Sequence, residues 1–306
     1  MKQDPNLTSN RARHPAPPEP IQTEFARQTG KWRKLLARSA RKPTPSAVHD
    51  LRVATLRLQA GIEYWSGRRH DHPLAREAAR WIAQSRKLRD VLGAVRDADV
   101  TVGRLKVLRE EILGSNGVAP ADASNCVTQI KKLEREVKRD RRAGAKELAD
   151  WIEERGARLE RRMLRLEKAL DLLNPFPAGC GRILLSEFLA GHASDSRSEL
   201  DRKTLHEFRK QLKEIRYIAE LSATGERSHE VLSAALRKLQ SALGEWHDWD
   251  ALVRTARSAL GDGGKAAPFF LRLEDRASKA LRSALAQTRR SVAALSAGAA
   301  KPRPLR

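Results

Sequence analysis

An all-α fold is predicted for this chain, built as two four-helix bundles related by a pseudo-two-fold axis. Three features predict it. From about residue 21 to 297, apolar side chains recur at the three- and four-residue spacing of helices, and no alternating β-branched run suggests a strand. Proline and glycine clusters cut that span into roughly eight segments. Two blocks of sequence recur in the same order in the two halves.

In chain order, residues 1–20 hold Pro5, Pro15, Pro17, Pro18 and Pro20 with few apolar residues, the composition of a disordered tail. A first helix should end before Lys42–Ser46, where Pro43 and Pro45 break it and Thr44 or Ser46 can cap the next. Gly67–Pro73 separates the second helix from the third. Gly114–Asp122 carries Gly114, Asn116, Gly117 and Pro120 and reads as a loop. The stretch Asp122–Leu173 is too long for a typical single helix, and Gly144 or Gly156 is the expected place of a bend. Asn174–Gly181, with Pro175, Pro177, Gly179 and Gly181, marks the midpoint. It divides a helical domain of residues 21–297 into halves of about 21–173 and 182–297. Further turns are expected at Gly191–Ser198, Thr224–Glu226 and Gly261–Gly264, and residues 298–306 read as a second tail.

The repeat gives the halves their relation. Val48-His49-Asp50-Leu51-Arg52 returns as Leu205-His206-Glu207-Phe208-Arg209, and Leu58 and Ile62 return as Ile215 and Ala219. Leu88, Leu92, Gly93, Arg96, Asp97 and Asp99 then return as Leu239, Leu243, Gly244, His247, Asp248 and Asp250. Two matched blocks that include His, Arg, Gly and an Asp-x-Asp pair are more than a coincidence of leucine spacing. Equivalent polar faces of the two halves should therefore confront each other.

Charge says what such a face meets. The 306 residues carry 60 Lys and Arg against 38 Asp and Glu, a formal net charge of +22. A chain this cationic calls for a polyanion: nucleic acid, an anionic membrane surface or a polyphosphate. Aromatic residues make up 5%, too few for widespread stacking on nucleobases. The two cysteines, Cys126 and Cys180, exclude a disulfide scaffold and a cysteine-based zinc cluster. No stretch approaches the ~18 apolar residues of a membrane span, so no membrane insertion is expected. The polar N-terminal stretch lacks the apolar core of a secretory signal, and the expected compartment is the cytoplasm. No P-loop, His-Glu-x-x-His or Gly-x-Ser-x-Gly is present. The reading is therefore of a protein that is not an enzyme, with no catalytic residues, cofactor or metal. His70 and His72 are spaced like metal ligands but lie in a loop with only Asp71 beside them.

The binding face can be drawn on a helical wheel. With His206 at zero and ~100° per residue, Arg209, Lys210, Lys213, Arg216 and Tyr217 fall in one sector. Leu205, Phe208, Leu212, Ile215 and Ala219 fall opposite, toward a core. Glu207 and Glu214 lie off the stripe, so little acid neutralises it, and like charges at i,i+4 cost a few tenths of a kcal/mol per pair. An anion on the stripe would offset that. In the first copy His49 and Arg52 keep their places, Leu56 and Gln59 replace the later cations, and Arg57 points away. The second half should therefore contribute more. Arg86, Arg89 and Arg96 in the first half and Arg237, Lys238 and His247 in the second add donors around the second block. Asp97 and Asp248 read as carboxylates that orient a neighbouring Arg or His. Arg161, Arg162 and Arg165, with Arg158, cluster on one side of the long middle segment and are further candidates.

These motifs resemble the CHAD family, a group of all-helical domains named for their histidines. The resemblance rests on the stretches beginning Val48-His49, Leu205-His206, Leu92-Gly93 and Leu243-Gly244, and covers about Ile21 to Ala297. It implies a pair of helical bundles around a basic central channel that binds inorganic polyphosphate, and association with polyphosphate granules. Nucleic acid is the secondary partner. Residue by residue it carries over His49, Arg52, His206, Arg209, Lys210, Lys213, Arg216 and Tyr217. Leu56 and Gln59 stand where relatives usually have basic residues. The strand-rich pattern of the triphosphate-tunnel domain found beside many relatives is missing, so no triphosphatase activity is inferred. If His49 or His206 gains a proton on binding, affinity should rise as pH falls through ~6.5.

Overall fold

A computed structural model describes residues 23–69, 71–114, 119–173, 176, 180–193, 202–221, 227–261 and 264–299. The tail of residues 1–20, His70, most of the turn expected at 191–198 and the turn expected at 224–226 lie outside the described residues; the second tail, expected from residue 298, does so from residue 300, because α8 continues through residues 298 and 299. Among those described, eight α-helices and one 3-10 turn account for the regular structure and no strand occurs. The helices are α1 (Glu24–Arg41), α2 (Pro45–Ser66), α3 (Ala75–Leu113), α4 (Pro120–Leu173), α5 (Cys180–Ala193), α6 (Arg202–Leu221), α7 (Arg227–Leu260) and α8 (Ala267–Ala299). None of the described helices is long and apolar enough to cross a membrane.

Local chemistry sets the ends. Thr23 caps α1, its hydroxyl accepting from the Ala26 amide at 3.2 Å. Of the two candidates for α2, Thr44 is the cap: its Oγ1 accepts from the Ala47 amide at 3.3 Å, with Pro45 in the first helical position, where no amide is needed. Gly261 ends α7 at φ 74°, the left-handed conformation that glycine adopts without a steric penalty.

The middle segment, expected to be too long for one helix, forms a single continuous helix of 54 residues. Both glycines are buried where α4 meets a neighbour. A Cβ on Gly144 would lie 3.3 Å from Val95 on α3, and one on Gly156 would lie 3.8 Å from Leu36 on α1. They serve close approach, and packing on both sides keeps the helix continuous.

Helix contacts fall into two closed runs. In the first, α1 packs on α2 and α4, α2 on α3, and α3 on α4. In the second, α5 packs on α6 and α8, α6 on α7, and α7 on α8. The runs meet where α2 packs on α6, α3 on α7, and α4 on α7 and α8. The two cores do not part at the midpoint of the chain. One gathers α1, α2, the first part of α3 and the second part of α4, from Phe25 and Trp32 to Leu166 and Leu170. The other gathers α5–α8 together with Ala98–Ile112 of α3 and Cys126–Val137 of α4. At ~1.5 Å per residue, α3 runs about 58 Å and α4 about 81 Å, long enough to serve both.

Candidate functional site

The apolar side of α6 fixes its polar side. Leu205, Phe208, Leu212, Ile215 and Ala219 are all buried, so the opposite face is turned to the junction with α2. There a cavity of about 410 Å³ opens between the two runs of helices. Arg52 of α2 and Arg89 of α3 line it from the first half. His206, Arg209, Lys210, Lys213 and Tyr217 of α6 and His247 of α7 line it from the second. Leu56, Gln59, Ala60, Glu63 and Glu214 complete the wall.

The basic groups are held in place. Arg52 crosses to α3 and donates from Nη1 to the Arg89 carbonyl at 3.1 Å. Nη1 passes Gly93 at ordinary contact distance, 3.6 Å from where a Cβ would stand. The Nε atoms of Arg89 and Arg209 are buried without a hydrogen-bond partner. Burial lowers the pKa of both guanidinium groups, with further lowering from Arg52. Lys213 is affected most. Burial, then the charges of Arg209, Arg52 and Arg216, lower its pKa to about 7, against a partial counter-effect from Asp248. Asp248 is itself tied across the junction to Arg104 at 3.0 Å.

The imidazoles are shifted toward the neutral form. The rings of His206 and His247 lie 5.3 Å apart. Burial and then Arg209 bring His247 down to about 3. Burial and then Lys210 lower His206, and burial and then Arg96 lower His49. The expected protonation near pH 6.5 is therefore displaced downward, because each ring is desolvated among cations. His49 is exposed early on α2, within reach of the Arg96, Lys213 and Arg52 charges.

Several candidates take part in other interactions. Arg57 donates to Glu220 at 2.7 Å and Gln28 at 3.1 Å, and Arg216 meets Glu220 at 3.3 Å. Both guanidinium groups lie against the Tyr217 ring, 5.6 and 4.9 Å from its centre. This cluster fastens α2 to α6 beside the cavity, and Arg57 and Arg216 do not line the cavity. Arg86 pairs with Glu63 at 2.9 Å on the outer side. Arg162 and Arg165 bind Glu77 in the first turn of α3, twelve residues before Arg89 and so ~18 Å away along the helix, and Arg161 is exposed. Arg237 and Lys238 are exposed on α7 outside the cavity lining. The structure therefore brings together eight of the eighteen candidates and leaves His49 and Arg96 at the margin. Glu63 and Glu214 were missed as lining residues. Extending the α2 wheel from His49 by fourteen residues returns Glu63 to the stripe, at about 320°.

Two comparisons identify relatives of this arrangement. The CHAD domain family model matches residues 23–257. The crystal structure of the CHAD domain from the plant Ricinus communis aligns with 92% of this chain and 91% of its own, at 19% identity and a TM-score of 0.57, a likeness of fold. Curated proteins gave no match.

Proposed function

The chain belongs to the CHAD domain family, and from that premise we propose that its basic cleft binds inorganic polyphosphate without catalysing a reaction on it. The observation that carries the reading is the convergence of Arg52, Arg89, Arg209, Lys210 and Lys213 on one cavity, with two buried guanidinium Nε atoms lacking an acceptor. An unsatisfied buried donor costs about 1–3 kcal/mol. Phosphate oxygens supply the missing acceptors, and a guanidinium can engage them through two parallel bonds. Neutral imidazole adds a ring N–H donor without adding to the charge repulsion. Accumulation on polyphosphate granules is the cellular consequence of this reading.

Polyphosphate is a flexible, closely charged thread, and much of its affinity comes from released counterions. By analogy with single-stranded nucleic acid, each neutralised phosphate contributes about −0.7 to the slope of log K against log salt, so five basic groups give a slope of about −3.5. The test is a titration with long-chain polyphosphate across a salt series, with duplex DNA and RNA beside it. Polyphosphate at equal phosphate concentration should displace DNA, and DNA should not displace polyphosphate. The reverse order would replace this reading by nucleic-acid binding.

A further inference from the structure

Glu63 of α2 and Glu214 of α6 stand in the wall of the basic cleft and also in the wall of a second cavity, of about 440 Å³, on the side of α5. The second cavity has a different chemistry. Glu63, Glu187 and Glu214 face a single lining arginine, Arg68, among apolar groups that include Phe188 and Ile218. Arg68 already lies over the Tyr64 ring, 3.9 Å from its centre. The sign of the lining charge therefore reverses at Glu63 and Glu214. Glu63 is held there by Gln59, which donates at 2.8 Å, and by Arg86 at 2.9 Å. Its charge bears on Glu214 and, after burial, disfavours the ionised form of that carboxyl.

We propose that Glu63 and Glu214 are specificity determinants that end the anion track on the α5 side, so that the cleft takes a single-file polyphosphate and disfavours a broad polyanion. A thread can follow the five basic groups and turn away from the carboxylates. A duplex is wider and rigid, and where it extends past the cleft on the α5 side it meets the acidic cavity as well. This inference rests on the polyphosphate reading and adds the discrimination against duplex nucleic acid.

The experiment compares Kd values of the full chain for long-chain polyphosphate and for a DNA duplex, in the wild type, Glu214→Gln, Glu214→Lys and Glu187→Gln. Removing one unit charge several ångströms from a phosphate, with water-like screening, changes Kd by about threefold. Glu214→Gln should tighten duplex binding by at least that factor and polyphosphate binding by less. Glu214→Lys should enlarge both gains and steepen the salt slope by about 0.7. Glu187→Gln, outside the basic cleft, should tighten duplex binding and leave polyphosphate binding unchanged. Damage to the fold weakens binding, so it cannot imitate these gains. Equal changes for both polyanions, or none, in a wild type that binds polyphosphate would overturn this inference alone. A wild type that binds no polyphosphate would overturn the proposed function and this inference with it.

Discussion

Lys213 is the cleft group that titrates nearest neutral pH, and a sharp pH dependence should rest on it. Free, its pKa is about 7 because burial and three arginines disfavour the ammonium. A bound polyanion favours the ammonium and moves the pKa back up toward 10.5. Between those two values binding takes up a proton, so affinity should fall as pH rises from 7 toward 10, by at most tenfold per unit. Lys213→Met should flatten the profile and weaken binding at pH 7, as read by titration at constant ionic strength. A slope unchanged in Lys213→Met would assign the dependence elsewhere. Stability has the opposite sign. The folded pKa lies below the unfolded one, so the charged lysine destabilises the fold fully below pH 7, and stability recovers as pH rises toward 10.5. Lys213→Met should therefore raise the Tm at pH 6, with the gain fading toward pH 10. The helical wheel could point Lys213 and Arg209 in one direction because α6 has a clear apolar face. It could not show their depth, which comes from α2 packing over them. That missing depth is why the expectation of histidine titration near 6.5 took no account of the burial that lowers the pKa of each ring.

Helices α5 and α6 approach through glycine, and this sets a prediction about the element that carries the basic face. A Cβ on Gly181 would stand 2.3 Å from the Ala219 Cβ and 2.6 Å from its Cα. Backbone would have to move, so Gly181→Ala should cost about 3 kcal/mol and lower the Tm by several degrees. Gly61 meets the Leu221 side chain at 2.5 Å, a flexible end that can turn aside, so Gly61→Ala should cost less. Gly244 has nothing within 4 Å, and Gly244→Ala should stabilise by about 0.5–1 kcal/mol by restricting the unfolded chain. A series of thermal melts checks the order. The glycine shared by Gly93 and Gly244 in the repeat is thus not explained by crowding at the second copy. Breaks between helices were legible because proline and glycine act locally: Thr44-Pro45 and Gly261 need no partner to end or begin a helix. The continuity of α4 was not legible. Gly144 and Gly156 weaken a helix in isolation, and the contacts with Val95 and Leu36 come from residues far away in the chain.

At the scale of the molecule, the duplicated sequence suggests two halves, whereas the packing joins them. Helices α3 and α4 leave the first core and supply Leu105, Leu108, Ile130 and Leu133 to the second. Leu221, at the end of α6, returns the exchange by joining the first. Three sets of ion pairs span the same junction: Arg57 with Glu220, Arg104 with Asp248, and Arg276 with Glu111. The repeat was readable because it lies in the order of residues. The sharing of cores was not, since any amphipathic helix of sufficient length offers the same pattern to either core. A cleft built from both halves keeps its shape only if they hold together, and the shared cores provide that coupling. Unfolding should accordingly be one cooperative transition, with the calorimetric and van't Hoff enthalpies in agreement. Residues 180–299 expressed alone would lack the α3 and α4 side chains of their core. They should show exposed apolar surface and no cooperative melt, and mixing with residues 23–173 should restore both structure and the polyphosphate binding proposed for the intact chain. Two separate transitions in the full chain, or a cooperatively folded second half on its own, would mean that the halves are independent and that the cleft depends on a weaker joint than these contacts indicate.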